Sequence, residues 1–259
     1  MTSDTAARAT SFLELHRAPE LLTVVNVWDA ISATVVAGTE GTQALATASH
    51  SIAATLGYAD GENIPAEEML DMVARIVRAT DLPVSADLEG GYGDAAGTVR
   101  RAIGVGVVGA NIEDQMKPLT EAAEQVEAIV KAAEAEGVPD FVLNARTDAF
   151  VKAGDRDPAE VLADAVERCR AFLDAGAPVV FVPGPLDEDM VGTLVEALGP
   201  QRLTTIGLPG TPPTTRLQEL GVARVSYGPM TQRVALTALQ DAVSAIQRGE
   251  GIPRFRNLN

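Results

Sequence analysis

Short β-branched apolar runs alternate with longer amphipathic, alanine-rich runs eight times along this chain, and no other feature constrains its fold as much. The runs with strand character fall at 22–28, 44–49, 83–89, 109–114, 141–148, 179–183, 202–207 and 224–228. The helical runs after them fall at 30–37, 66–80, 95–104, 119–136, 158–175, 187–198, 214–220 and 231–248, and a further short helix is expected over 9–18. The strand runs are almost continuously apolar, as strands covered by helices on a parallel sheet must be. Eight strand-then-helix units in 259 residues predict a (β/α)8 TIM-type barrel forming one domain over 1–259, with a short N-terminal helix and a C-terminal helical extension. An open doubly wound sheet with extra units is the alternative.

Helix punctuation supports these borders. Gly38, Gly137, Gly176, Gly199, Gly221 and Gly249 each follow a helical run, where a left-handed C-cap is expected. Asp157-Pro158 reads as an N-cap followed by proline at the first helical position. Gly104-Val105-Gly106-Val107-Val108-Gly109 matches G-x-G-x-x-G by letter. These glycines close a helix and lead into a strand, the reverse of the strand-to-helix turn that seats a pyrophosphate, so they read as an αβ turn.

The chain carries 20 basic against 36 acidic residues, a formal net charge of −16, which argues against nucleic acid and anionic membranes as partners. Its single cysteine, Cys169, allows no intramolecular disulfide, the N-terminal residues lack a signal-peptide core, and no apolar stretch has transmembrane length. A cytoplasmic protein is expected. With so negative a chain, any anionic substrate needs a local cation or arginine to reverse the field.

In a βα barrel the chemistry belongs at the C-terminal strand ends. Three consecutive strand runs end in charge: Asp87-Leu88-Glu89, Asn111-Ile112-Glu113-Asp114 and Asn144-Ala145-Arg146-Thr147-Asp148, with Asp60 in the loop after the second run. Period-two alternation puts Asp87 with Glu89, Asn111 with Glu113, and Asn144 with Arg146 and Asp148 on shared faces. Carboxylates crowded into a half-buried mouth repel one another, and a divalent cation relieves the repulsion. Oxygen ligands without a Cys/His cluster point to magnesium, or manganese, over zinc. Rim salt bridges are the alternative for any one of these carboxylates taken alone.

Asn26-Val27-Trp28-Asp29-Ala30, Leu56-Gly57-Tyr58-Ala59-Asp60-Gly61, Asp87-Leu88-Glu89-Gly90-Gly91-Tyr92-Gly93, Asn111-Ile112-Glu113-Asp114-Gln115 and Asn144-Ala145-Arg146-Thr147-Asp148 together resemble the isocitrate lyase / phosphoenolpyruvate mutase superfamily. The resemblance implies a homo-oligomer, a tetramer or dimer, that exchanges C-terminal helices, and a magnesium-dependent lyase acting on a small anionic 2-oxo acid through an enolate. By position it implies Asp87 as the direct metal ligand, with Asp60, Glu89 and Glu113 around the metal waters. Arg146 would clamp the substrate carboxylate, and Ala48, Ser49 and His50 would bind the same group. Glu113, Arg146 and Tyr58 are the catalytic candidates, with Tyr92 and His50 as further proton-donor candidates.

The chain departs from that pattern after the fourth strand. The superfamily's lyases place a cysteine-bearing gating loop there, and its phosphonopyruvate branch a longer loop with lysine and asparagine. Here Glu113-Asp114-Gln115-Met116-Lys117-Pro118-Leu119 runs straight into a helix. Ala46 also stands where the mutase has an aromatic wall, and Cys169 reads as packing in an outer helix. Carbon–carbon cleavage, P–C bond chemistry on a phosphonopyruvate-type substrate and a non-catalytic 2-oxo acid binder all stay open.

Overall fold

The structure, a computed structural model, describes residues 2–258. In chain order it contains α1 (Thr2–Arg17), β1 (Leu22–Val27), α2 (Ala30–Ala37), β2 (Leu45–Thr47), α3 (Ser49–Thr55), α4 (Ala66–Arg78), β3 (Val84–Asp87), α5 (Ala95–Gly104) and β4 (Gly109–Glu113). It continues with α6 (Leu119–Ala135), β5 (Val142–Arg146), α7 (Pro158–Asp174), β6 (Val179–Phe181), α8 (Glu188–Leu198), β7 (Leu203–Ile206), α9 (Thr214–Leu220), β8 (Arg224–Ser226) and α10 (Met230–Gln247).

The eight strands close into one parallel barrel in sequence order, with β8 returning to pair with β1. The register carries one inward-facing set around the barrel: Asn26 beside Ala46, Ala46 beside Ser85, Asp87 beside Asn111, Asn111 beside Asn144, and Glu113 beside Arg146. The residues between them, Leu88 and Ile112, are buried on the opposite, helix-facing side. Part of the interior is polar and satisfied: Asn144 Nδ2 donates to Asn111 Oδ1 at 2.8 Å, and Thr204 Oγ1 donates to Asn144 Oδ1 at 2.8 Å.

Helix α1 closes the N-terminal end of the barrel. Phe12 packs under Gly109, where an added Cβ would stand 2.9 Å from the Phe12 ring and 2.7 Å from the Val142 carbonyl oxygen. Only glycine admits that ring. Phe12 and the fully buried His16 stack edge to face at 4.5 Å.

Four expectations need correction. The N-terminal helix is longer than expected, starting at Thr2. Gly38 is right-handed (φ −78°) and so is no left-handed cap, whereas Gly221 is one (φ 88°, ψ 26°). Ser49 does not end β2 but opens α3, a helix absent from the sequence reading. Finally, Glu89 and Asp148 lie beyond their strands, Glu89 with φ 54°, so loop geometry and not the strand pleat brings them to Asp87 and Arg146. Among the described residues no helix is long and apolar enough to cross a membrane.

Candidate active site

The C-terminal ends of β2 to β5 bring together Ser49, Asp87, Glu89, Glu113, Arg146 and Asp148. Asp87 closes β3. Its backbone N–H donates to Thr47 Oγ1 at 2.9 Å. Its Oδ2 accepts from the Ser49 hydroxyl at 2.7 Å and from the Ser49 backbone N–H at 3.1 Å. Asp87 Oδ1 is buried and finds no partner among the described residues. A buried carboxylate oxygen left unpaired is costly, so this atom marks where a cation or an ordered water is owed.

Beside it, Arg146 is gripped from two sides. Its Nη1 lies 2.8 Å from Glu113 Oε2, its Nη2 lies 2.7 Å from Asp148 Oδ1, and its Nε donates to the same oxygen at 2.9 Å. Three of the five guanidinium N–H donors are thereby used, which leaves donors for an anionic ligand. Burial pulls the Arg146 pKa down, but Glu113, Asp148 and Asp87 outweigh it and leave it above the usual arginine value.

The carboxylates feel each other. Burial pushes Glu113 up to about 7; Arg146 opposes this, and Asp148, Asp87 and Glu89 add to it. Burial likewise pushes Glu89 up to about 7, against a hydrogen bond from the Glu62 backbone N–H and with repulsion from Asp87 and Asp60. Two carboxyls that resist ionisation beside a third with an unpaired oxygen are a set that gains from a divalent ion. Among the described residues no three His, Cys, Asp or Glu side chains converge as a ready-made cage. Magnesium commonly takes one or two protein carboxylates and fills the rest of its octahedron with water or ligand, so the donor set fits an ion held mainly through Asp87.

The loops at this mouth are strained. Six non-glycine residues among those described have left-handed φ, and five of them, Glu62, Glu89, Tyr92, Gln115 and Met116, belong to the loops after α3, β3 and β4. Such conformations cost of order 1–3 kcal/mol each and persist where the surroundings over-determine them. Glu62 supplies part of that constraint. Its backbone N–H donates to Glu89 Oε2, its Oε1 accepts from the Tyr92 N–H at 2.6 Å, and its Oε2 accepts from Gln115 Nε2 at 3.4 Å. The Gly90-Gly91 turn makes the crossing feasible: a Cβ on Gly90 would meet the Gln115 amide at 2.3 Å, and one on Gly91 the Ala95 backbone at 2.4 Å.

Behind the mouth, Asp114 is buried and fully engaged. Its Oδ1 accepts from the Met116 N–H at 2.9 Å and the Asp148 N–H at 3.0 Å, and its Oδ2 accepts from Arg168 Nη1 at 3.1 Å. Glu62 and Arg168 escaped the sequence reading, and Asp114 stands in it as a charged strand end without a role. Asp114 directly follows Glu113 and points away from it, and nothing in an outer-helix arginine signals its partner on another unit.

Not every expected residue joins the cluster. The Tyr58 hydroxyl turns away and donates to Glu68 Oε1 at 2.8 Å on the solvent side, because the chain reverses at Gly57 (φ 85°) after α3. Asp60 sits exposed on the rim, and its charge repels that of Glu89. Ala48 and Ser49 are buried at the β2–α3 junction; His50 follows them, with Nδ1 buried and unpartnered among the described residues. Tyr92 instead joins the cluster, its hydroxyl donating to Glu89 Oε1 at 3.1 Å.

A closed βα barrel with its strained loops and titration-shifted carboxyls gathered at the C-terminal strand ends is built as a barrel enzyme. The chain belongs to the phosphoenolpyruvate phosphomutase family, whose model matches residues 12–247. A crystal structure of a candidate phosphonomutase from Burkholderia cenocepacia superposes with a TM-score of 0.86 at 41% identity, over 92% of this chain and 99% of that one. A protein assigned as a 2-methylisocitrate lyase in Corynebacterium glutamicum is 31% identical over 76% of this chain and 68% of its own length. The 2,3-dimethylmalate lyase of Eubacterium barkeri is 27% identical over 93% of this chain and 87% of its own. The family thus joins lyases and mutases, as the sequence resemblance implied, and the expectation of a lyase agrees with the names these relatives carry.

Proposed function

We propose that this protein is a magnesium-dependent lyase that cleaves a carbon–carbon bond in a small 2-hydroxy or 2-oxo carboxylate and passes through an enolate. The observation that carries the reading is Asp87, with one oxygen fixed by Ser49 and the other buried and unpaired, next to an arginine held by two carboxylates. When bound, magnesium would supply electrophilic stabilisation of the enolate charge. Asp87 would hold it, with Glu89, Glu113 and Asp60 around its waters. Arg146, kept in place by Glu113 and Asp148, offers its remaining donors to the substrate carboxylate. The backbone and side chains of Ala48, Ser49 and His50 line the same end of the barrel. Of the proton-donor candidates, Tyr92 stands in the cluster and Tyr58 does not.

Phosphorus–carbon chemistry is a second reading, favoured by the match to the phosphomutase family and the likeness to a candidate phosphonomutase. The short connection from Glu113 to Leu119, without that branch's lysine and asparagine, places it second. Assembly into a homo-oligomer is supported by the outward apolar residues of α10 and the chain after it: Val234, Leu236, Leu239, Val243, Ile246 and Phe255 are all exposed. Lactate dehydrogenase with NADH, coupled to turnover of oxaloacetate, citramalate, isocitrate, methylisocitrate and phosphonopyruvate, with magnesium and with chelator, tests these readings. Magnesium-dependent release of pyruvate or glyoxylate from a carbon–carbon substrate is the expected result. Turnover of phosphonopyruvate alone, read as pyruvate for a hydrolase and by phosphorus NMR for a mutase, whose phosphoenolpyruvate product the dehydrogenase does not reduce, would replace the first reading with the second.

A further inference from the structure

The barrel interior holds a cation that the site as described does not use. Arg224 opens β8 and faces inward beside Leu22 of β1 and Thr204 of β7. It is completely buried. Its Nη1 reaches Ser85 Oγ at 3.4 Å, a long contact, while Nε and Nη2 have no partner among the described residues. Among the described residues no carboxylate forms a salt bridge with it. A buried guanidinium with so few hydrogen bonds carries a large desolvation cost, and here burial pulls its pKa down to about 10, opposed by the charge of Asp87.

The neighbourhood explains its orientation. Ser85 lies two residues before Asp87 on the inner face of β3, so the guanidinium that reaches Ser85 sits one inward layer below Asp87, the carboxylate whose Oδ1 is unpaired. On the opposite side, α1 presents His16, whose Nδ1 meets the Phe12 carbonyl oxygen at 2.8 Å. Burial first, and the Arg224 charge second, hold His16 down to about 3, so the floor is neutral and Asp87 is the anion that Arg224 answers.

We infer that Arg224 is a positioning residue acting through Asp87: it is the fixed counter-charge of the carboxylate cluster and sets how strongly the mouth attracts a divalent cation. This rests on the reading of Asp87 as the metal ligand. A positive charge fixed under the ligand offsets part of the field of Asp87, Glu89, Glu113 and Asp148, which lowers affinity for a cation. In return it leaves a positive background for an anionic ligand at the mouth of a chain with net charge −16. A space-filling or fold-stabilising role has no such signature.

Magnesium affinity by isothermal titration at pH 8 separates the two, using the whole chain and the metal alone as probe. Arg224→Met and Arg224→Gln remove the charge; the glutamine keeps a donor for Ser85 and serves if the methionine variant does not fold. Both should bind magnesium tighter by at least about tenfold, because a unit charge one layer below a divalent ion repels it by more than the ~1.4 kcal/mol of a tenfold change even at an effective permittivity of about 20. Arg224→Lys keeps the charge and should bind as the parent does. Unchanged or weaker binding in the uncharged variants overturns the inference. Asp87→Asn in the same series tests the underlying reading separately: if it leaves magnesium affinity unchanged, the metal assignment of Asp87 has failed, whatever Arg224 does.

Discussion

Asp87 and Arg146 are opposite solutions to one problem, how to keep a charge half-buried. Arg146 meets it with partners, two carboxylates at 2.7 and 2.8 Å. Asp87 meets it only by half, through Ser49, and the unmet half is the functional signal. Arg146→Ala should weaken pyruvate binding to the magnesium-loaded protein by roughly 30- to 150-fold, the ~2–3 kcal/mol of a charge-assisted bidentate contact. Isothermal titration checks this, and unaltered affinity would remove Arg146 from the substrate contacts. The same variant frees Glu113 and Asp148 from their shared cation. At this scale the sequence was informative where side-chain period and chemistry agree: Asp87, Glu113 and Arg146 lie on inward strand positions, and the apolar Leu88 and Ile112 betray the outward ones. It was silent where a contact joins distant units. Glu62, Arg168 and Arg224 look like ordinary charged residues until the chain closes.

Among the elements, the eight strands and their helices were legible because each keeps its own hydrophobic period, and most borders move by only one to three residues. Helix α3 was not, since its seven residues, Ser49–Thr55, are small or apolar apart from His50 and merge with the run of β2. Yet this short helix brings the Ser49 N–H and hydroxyl to Asp87. Helix α1 was expected to be shorter, and its burial of His16 against the barrel floor was unforeseen. That burial has a pH consequence. The unfolded chain takes up a proton on His16 near pH 6.5, whereas the folded chain refuses it until about pH 3. The unfolded state therefore binds more protons across that window. The stability from keeping the imidazole neutral is complete above pH 6.5 and is lost as pH falls towards 3, at up to about 1.4 kcal/mol per pH unit. Replacing the titrating ring, as in His16→Leu, should flatten the acid limb of stability measured by urea unfolding between pH 6 and 4. An equally steep limb in the variant would assign the acid sensitivity to other groups.

For the whole molecule, two features stand apart from the barrel itself. One is a surface with net charge −16, reversed locally by Arg146 and, on the reading above, by a divalent ion. The other is the apolar face of α10, with Val234 and Leu239 at 71% and 60% exposure, more than a lone chain leaves in water without reason. Sedimentation should find several chains per particle, and Leu239→Asp with Val243→Asp should shift the population to smaller species. A monomeric parent would contradict the assembly. The barrel class could be read from repetition in the sequence, whereas the substrate could not, because the short connection after β4 matches neither lyase nor mutase pattern. The most direct test therefore avoids the substrate and uses oxalate, a planar dianion that resembles the enolate of a 2-oxo acid. Its binding should be measured by titration with magnesium and with chelator, in the parent and in Asp87→Asn. Tight binding is expected only in the parent with magnesium present. Equal affinity with chelator, or in Asp87→Asn, would contradict a metal-held enolate site at Asp87.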